Sequence, residues 1–61
     1  MESEMLRKLL DEADEALDKE TYEQTKAYHF DAPDDADYTI SAGTLRKVNR
    51  LFAALDTQLK Q

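Results

Sequence analysis

The stretch SAGTLRKVNRLFAALDTQLKQ, residues 41–61, decides the fold. Its large apolar residues recur at intervals of three and four, which places them on one face of an α-helix. They are Leu45, Val48, Phe52, Leu55 and Leu59, with Leu51 widening the stripe beside Phe52. Ser41 is a suitable N-cap, because a serine hydroxyl can accept a hydrogen bond from a backbone N–H of the first turn. The pattern predicts a helix over residues 42–60.

A second amphipathic pattern occupies the first part of the chain. One face carries Leu6, Leu10, Ala13 and Leu17, flanked by Leu9 and Ala16. This stripe fades where Thr21 and Gln24 stand, although no glycine or proline forces the helix to stop. Either the helix continues, or Asp18 caps a second short helix that carries Tyr22. We favour continuation and predict a helix over residues 4–27.

The middle of the chain, residues 29–40, is predicted to be a loop. Its segment DAPDDAD, residues 31–37, breaks helices because Pro33 disfavours a helical conformation at the preceding residue and aspartates favour turns. Bulky residues alternate in the flanking segments 28–30 and 38–40, which could pair as a short β-hairpin in an α-β-β-α order. The simpler interpretation is a loop whose aromatic residues cover one end of a helical hairpin. The expected fold is therefore mainly α, a helical hairpin forming one small domain over residues 1–61.

Composition limits what such a domain can do alone. The chain has 61 residues, 14 acidic against 8 basic side chains, a net charge of −6 and no cysteine. A chain of this length buries only about 60% of its unfolded surface, so one core gives marginal stability. No disulfide or thiolate-bound metal can add to it. We therefore expect self-association or a protein partner. The charged first twenty residues predict neither a signal peptide nor a membrane span, and a cytoplasmic location is the default expectation.

The residues that could support a metal site or catalysis do not form a recognisable motif. A calcium loop of the EF-hand type that began at Asp31 would have Pro33 at position 3, where an oxygen ligand is needed, and one that began at Asp35 would have Ile40 in place of the required glycine. A solvated acidic turn is the better interpretation. His29 is the only histidine, and we interpret it as a packing residue. We expect no catalytic residue, no metal and no cofactor.

Two groups of residues are candidates for contacts with a partner. The basic group is Arg46, Lys47 and Arg50, and the aromatic group is Tyr22, Tyr28 and Tyr38, near Phe30. Cations in the first turns of a helix oppose its dipole, so local helix energetics do not explain the basic group. It either pairs with acids of the same chain or contacts an acidic partner or a phosphate backbone. The aromatic residues are either a minor core or interface anchors.

These observations predict a small acidic interaction protein of a regulatory or adaptor type, without enzymatic activity. We expect it to form a homodimer, to bind another protein, or both, through Leu45, Val48, Leu51, Phe52, Leu55 and Leu59. In a lone hairpin, Leu51 and Leu9 would lie at the margins of the contact between the helices. One alternative is a regulator that binds nucleic acid through Arg46, Lys47 and Arg50. Another is an inhibitor that imitates the charge of DNA with the acidic residues of segment 11–37.

Overall fold

The computed structural model describes residues 3–60, which form two antiparallel helices joined by a linker. Helix α1 spans Ser3–Thr25, a short 3₁₀ turn spans His29–Asp31, and helix α2 spans Ala42–Leu59. The prediction of a helical hairpin is confirmed. The optional β-hairpin is not seen, because residues 3–60 contain no strand.

Helix α1 continues without a break past Asp18, so the alternative of a second short helix starting there is wrong. The helix ends two residues earlier than predicted. Lys26 has a φ of 60°, in the left-handed region, and its N–H still donates to the carbonyl oxygen of Tyr22 at 2.6 Å. A residue in this conformation directly after the last helical turn ends an α-helix.

The linker, residues 26–41, does not form strands because its backbone groups bond elsewhere. The backbone N–H and carbonyl oxygen of Thr39 both bond to the side-chain amide of Gln24 on α1 instead of to segment 28–30. Ala32 is extended, with φ −80° and ψ 150°, as expected for the residue before Pro33.

Helix α2 begins as the sequence predicts. Ser41 is its N-cap, and the Ser41 hydroxyl accepts a hydrogen bond from the backbone N–H of Thr44 at 3.2 Å. At the other end, the N–H of Lys60 donates to the carbonyl oxygen of Asp56 at 3.1 Å. The helix therefore has the predicted bounds to within one residue.

The contact between the helices is made largely by small residues. Within residues 3–60 the only buried hydrophobic residue is Ala13, and no large side chain is fully buried. The more buried positions of α2 are Thr44, Val48, Leu51, Ala54 and Gln58, and those of α1 include Leu6, Leu9, Ala13, Ala16 and Leu17. Leu51 and Leu9 were expected at the margins of the contact between the helices, but each faces the other helix. Phe52, which was expected at the centre of the stripe, is exposed.

Candidate interaction surface

The hairpin leaves a row of large apolar side chains in contact with solvent. We define the open apolar face as Leu10 of α1 together with Leu45, Phe52, Leu55 and Leu59 of α2. Their exposed fractions range from 41% for Leu55 to 84% for Leu59. Of the predicted interface residues, Val48 and Leu51 are half-buried towards α1 and the other four belong to this face.

Helix geometry brings Leu10 to the same side of the hairpin as the α2 residues. On α2, Leu45 and Phe52 each follow an inward-facing residue, and on α1 Leu10 follows Leu9 in the same way. Each step along a helix turns the side chain by about 100° in the same sense. In an antiparallel pair of right-handed helices, that turn carries both sets to the same side.

The linker covers part of this side. A hollow of the molecule is lined by Leu17 and Thr21 of α1 together with linker residues that include His29, Pro33, Tyr38 and Ile40. Thr21 is buried, with an exposed fraction of 6%, and its hydroxyl donates to the carbonyl oxygen of Leu17 at 2.8 Å. The side of α1 that is covered at Leu17 and Thr21 is therefore open at Leu10.

A polar network connects the end of α1 to the beginning of α2. The Glu20 carboxylate accepts hydrogen bonds from the Ser41 N–H at 2.7 Å, from the Ser41 hydroxyl at 2.6 Å and from the Thr44 hydroxyl. One turn later, the Gln24 side chain donates to the Thr39 carbonyl oxygen at 2.7 Å and accepts from the Thr39 N–H at 2.9 Å. We call these contacts the Glu20–Gln24 network. It fixes the point at which the linker enters α2.

The network also lowers the pKa of Glu20. Hydrogen bonds from the Ser41 and Thr44 side chains and from the Ser41 backbone lower the pKa of the Glu20 carboxyl, with a smaller contribution from the positive charge of Lys47. The carboxylate also lies at the N-terminus of α2, where the helix dipole favours an anion. The ionised form of Glu20 is therefore the form that the hairpin stabilises.

The structural role of Glu20 and Gln24 was not predicted from the sequence. The available signal was the fading of the apolar stripe of α1 at Thr21 and Gln24. The structure explains this fading, because both residues face the linker instead of an apolar core.

His29 is half-buried, as expected of a packing residue, and it also has a polar partner. Its Nε2 atom lies 3.2 Å from Oδ1 of Asp18, and its ring lies 4.2 Å from that of Phe30, which is exposed. Among residues 3–60, no group of three or more His, Cys, Asp or Glu side chains is arranged to hold a metal ion. The aspartates of segment 31–37 are exposed.

The predicted aromatic contacts divide between two environments. Tyr22 and Tyr28 are exposed, and their ring centroids are 5.3 Å apart. They border an open hollow on α1 that also includes Asp11, Asp14 and Asp18. Tyr38 is half-buried in the linker. The structure therefore brings Tyr22 and Tyr28 together but not Tyr38.

The predicted basic group is exposed on α2. Within residues 3–60 the close contacts between basic and acidic side chains are His29–Asp18 and Lys60–Asp56, and neither includes Arg46, Lys47 or Arg50. Among residues 3–60, the alternative that this group pairs with acids of the same chain is therefore not seen as ion pairs. The positive charge of Lys47 contributes to the lowered pKa of Glu20.

Neither helix in residues 3–60 is long and apolar enough to cross a membrane. Comparisons of the chain with protein-family models, with curated proteins and with solved structures found no match.

Proposed function

We propose that this chain is a small interaction protein, of a regulatory or adaptor type, that acts by binding and not by catalysis. Its binding surface is the open apolar face, and its first partner is a second copy of the chain. A cytoplasmic location is part of the same proposal.

The observation that carries this proposal is that large apolar residues of α2 lie on the surface, whereas a small one lies in the core. Four large apolar residues of α2 are exposed, whereas the only buried hydrophobic residue within residues 3–60 is Ala13. Each large apolar residue that moves from water into an interface gains about 1.5–3 kcal/mol. Contiguous exposed apolar surface of this kind marks binding sites in small soluble proteins. Pairing of two hairpins would give a four-helix bundle.

The test is the oligomeric state of the chain and of one matched pair of variants. Sedimentation equilibrium should show a species of twice the chain mass of 7.0 kDa as the concentration rises through the micromolar range. Leu55→Asp should dissociate this dimer because it places a carboxylate in the apolar interface. Thr57→Asp introduces the same charge on the outer surface of α2 and should not. A single 7.0 kDa species throughout would contradict self-association.

A second candidate function is nucleic-acid binding by α2. It is favoured by one observation, namely that Arg46 and Arg50 are exposed one turn apart and have no ion pair within residues 3–60. Side chains at this spacing can contact neighbouring phosphates. The net charge of −6 opposes this candidate, since a nucleic-acid-binding domain is typically basic.

A further inference from the structure

The linker and the open apolar face form a step on one side of the hairpin. Leu10, Leu17 and Thr21 follow one line along α1, because they are spaced seven and four residues apart. The linker borders a hollow over Leu17 and Thr21, and Thr21 is buried, whereas Leu10 is 47% exposed. One end of this side is therefore raised by the linker, and the other end is open.

A second copy that is turned end for end fits this step. Consider a two-fold axis that lies between the two hairpins, parallel to their faces and perpendicular to the helices. It places α2 against the partner's α2 in the antiparallel direction. The same rotation places the raised end of each copy over the open end of the other, so that each linker covers the partner's Leu10. A two-fold axis along the helices would instead bring both linkers to one end, where they would hold the two hairpins apart.

The charges agree with this arrangement. The linker carries four aspartates and one lysine, and residues 11–25 of α1 carry seven acids and one lysine. Residues 3–10 are the part of α1 without this acidic excess, with Arg7 and Lys8 against Glu4. Arg7 is exposed, takes part in neither ion pair of residues 3–60, and lies on the side of Leu10 three residues away. Within α1, the open end is therefore the part where an acidic linker can meet a basic residue without an excess of acids around it.

We infer that the open apolar face is covered by a second copy of the chain with its α2 antiparallel, and that segment 31–37 of each copy lies against the partner's Arg7. This inference rests on the proposed self-association and adds to it an orientation and an ionic contact. The contact occurs twice in the dimer because of the two-fold symmetry.

Charge reversal in complementary variants tests the contact. Arg7→Glu should weaken the dimer about tenfold, since two exposed ion pairs become repulsive. Lys8→Glu makes the same change in charge on another side of α1 and should weaken it by less than about threefold. The double variant Asp34→Lys, Asp35→Lys should also weaken the dimer. An equimolar mixture of this double variant with Arg7→Glu should recover an affinity close to that of the original chain. In the mixed dimer one contact keeps the original aspartates and Arg7, and the other is restored with its charges reversed.

Spin labels test the orientation, since the chain has no cysteine of its own. Labels on Ala53→Cys lie near the two-fold axis in the inferred dimer, and labels on Lys60→Cys lie farther along the helix. At 1.5 Å per residue, the axial separation grows by about 21 Å between the two positions, and the measured distance should lengthen by more than about 10 Å. Equal distances at the two positions would overturn the antiparallel arrangement.

The outcomes distinguish this inference from the function on which it rests. A dimer that dissociates with Leu55→Asp but shows no recovery in the mixture would overturn the contact with Arg7 and leave the proposed function intact. Equal effects of Arg7→Glu and Lys8→Glu would do the same. A chain that stays monomeric at every concentration would overturn both.

Discussion

Leu51 and Phe52 are neighbours on α2 with opposite environments, and alanine substitutions at the two positions should have separable effects. Leu51 is half-buried towards α1, whereas the exposed fraction of Phe52 is 59%. A fully buried leucine costs about 2–5 kcal/mol when it is replaced by alanine, so half burial predicts about 1–2.5 kcal/mol for Leu51→Ala within one chain. Phe52→Ala should cost less than about 1 kcal/mol within one chain. In the dimer, where the ring is covered, it should cost about 3 kcal/mol.

The assay is urea unfolding followed by circular dichroism at low micromolar and at several hundred micromolar chain. Leu51→Ala should lower the free energy of unfolding at both concentrations. Phe52→Ala should lower it mainly at the higher concentration, where the dimer contributes to stability by mass action. Asn49→Ala, at an exposed polar position, is the control and should change stability by no more than about 0.5 kcal/mol. If Phe52→Ala lowers the free energy of unfolding as much as Leu51→Ala does at the lower concentration, Phe52 packs against α1 and does not belong to the open apolar face.

Two further predictions concern polar residues. Because the folded state lowers the pKa of Glu20, its carboxylate stabilises the hairpin at pH values above the pKa of the unfolded chain, and this contribution is lost as the pH falls through the lower folded pKa. Glu20→Gln should therefore lower the Tm at neutral pH and reduce its fall in acid, and Glu23→Gln, at an exposed position, should do neither. The double substitution Arg46→Gln, Arg50→Gln should preserve the helical circular dichroism and change the free energy of unfolding by no more than about 1 kcal/mol. A DNA probe that binds the original chain with steep salt dependence but does not bind this variant would make nucleic-acid binding the leading function.

The helices could be predicted from sequence because their signals are local. The intervals of three and four apolar residues, the Ser41 cap and Pro33 each act within a few residues. The orientation of α2 could not be predicted in the same way. Leu51 and Phe52 are both apolar, and the sequence pattern centres the stripe on Phe52. The structure turns Leu51 inward because the helices approach through small side chains such as Ala13 and Thr44, and that choice depends on the other helix.

The Glu20–Gln24 network was beyond local sequence reasoning for a related reason. Its hydrogen bonds join residues that are 15 to 24 positions apart, and they depend on where the linker returns to α1. Nothing in the composition of α1 separates Glu20 from the exposed acids around it. Only the loss of apolar residues at Thr21 and Gln24 indicated that this end of the helix faces polar groups.

The Glu20–Gln24 network and the open apolar face are made by different side chains, so the protein can bind a partner without unfolding. The direct hydrogen bonds between α1 and the 39–44 segment, all made by Glu20 and Gln24, tie one end of the hairpin together. The large apolar residues lie mostly outside this network, on the open face. Covering or mutating that face therefore leaves the polar connection unchanged, since the two sets share no side chain. Stability of the single chain and affinity for a partner should consequently respond to different residues, and variants of Leu45 or Leu59 should alter affinity while the N-cap at Ser41 stays formed.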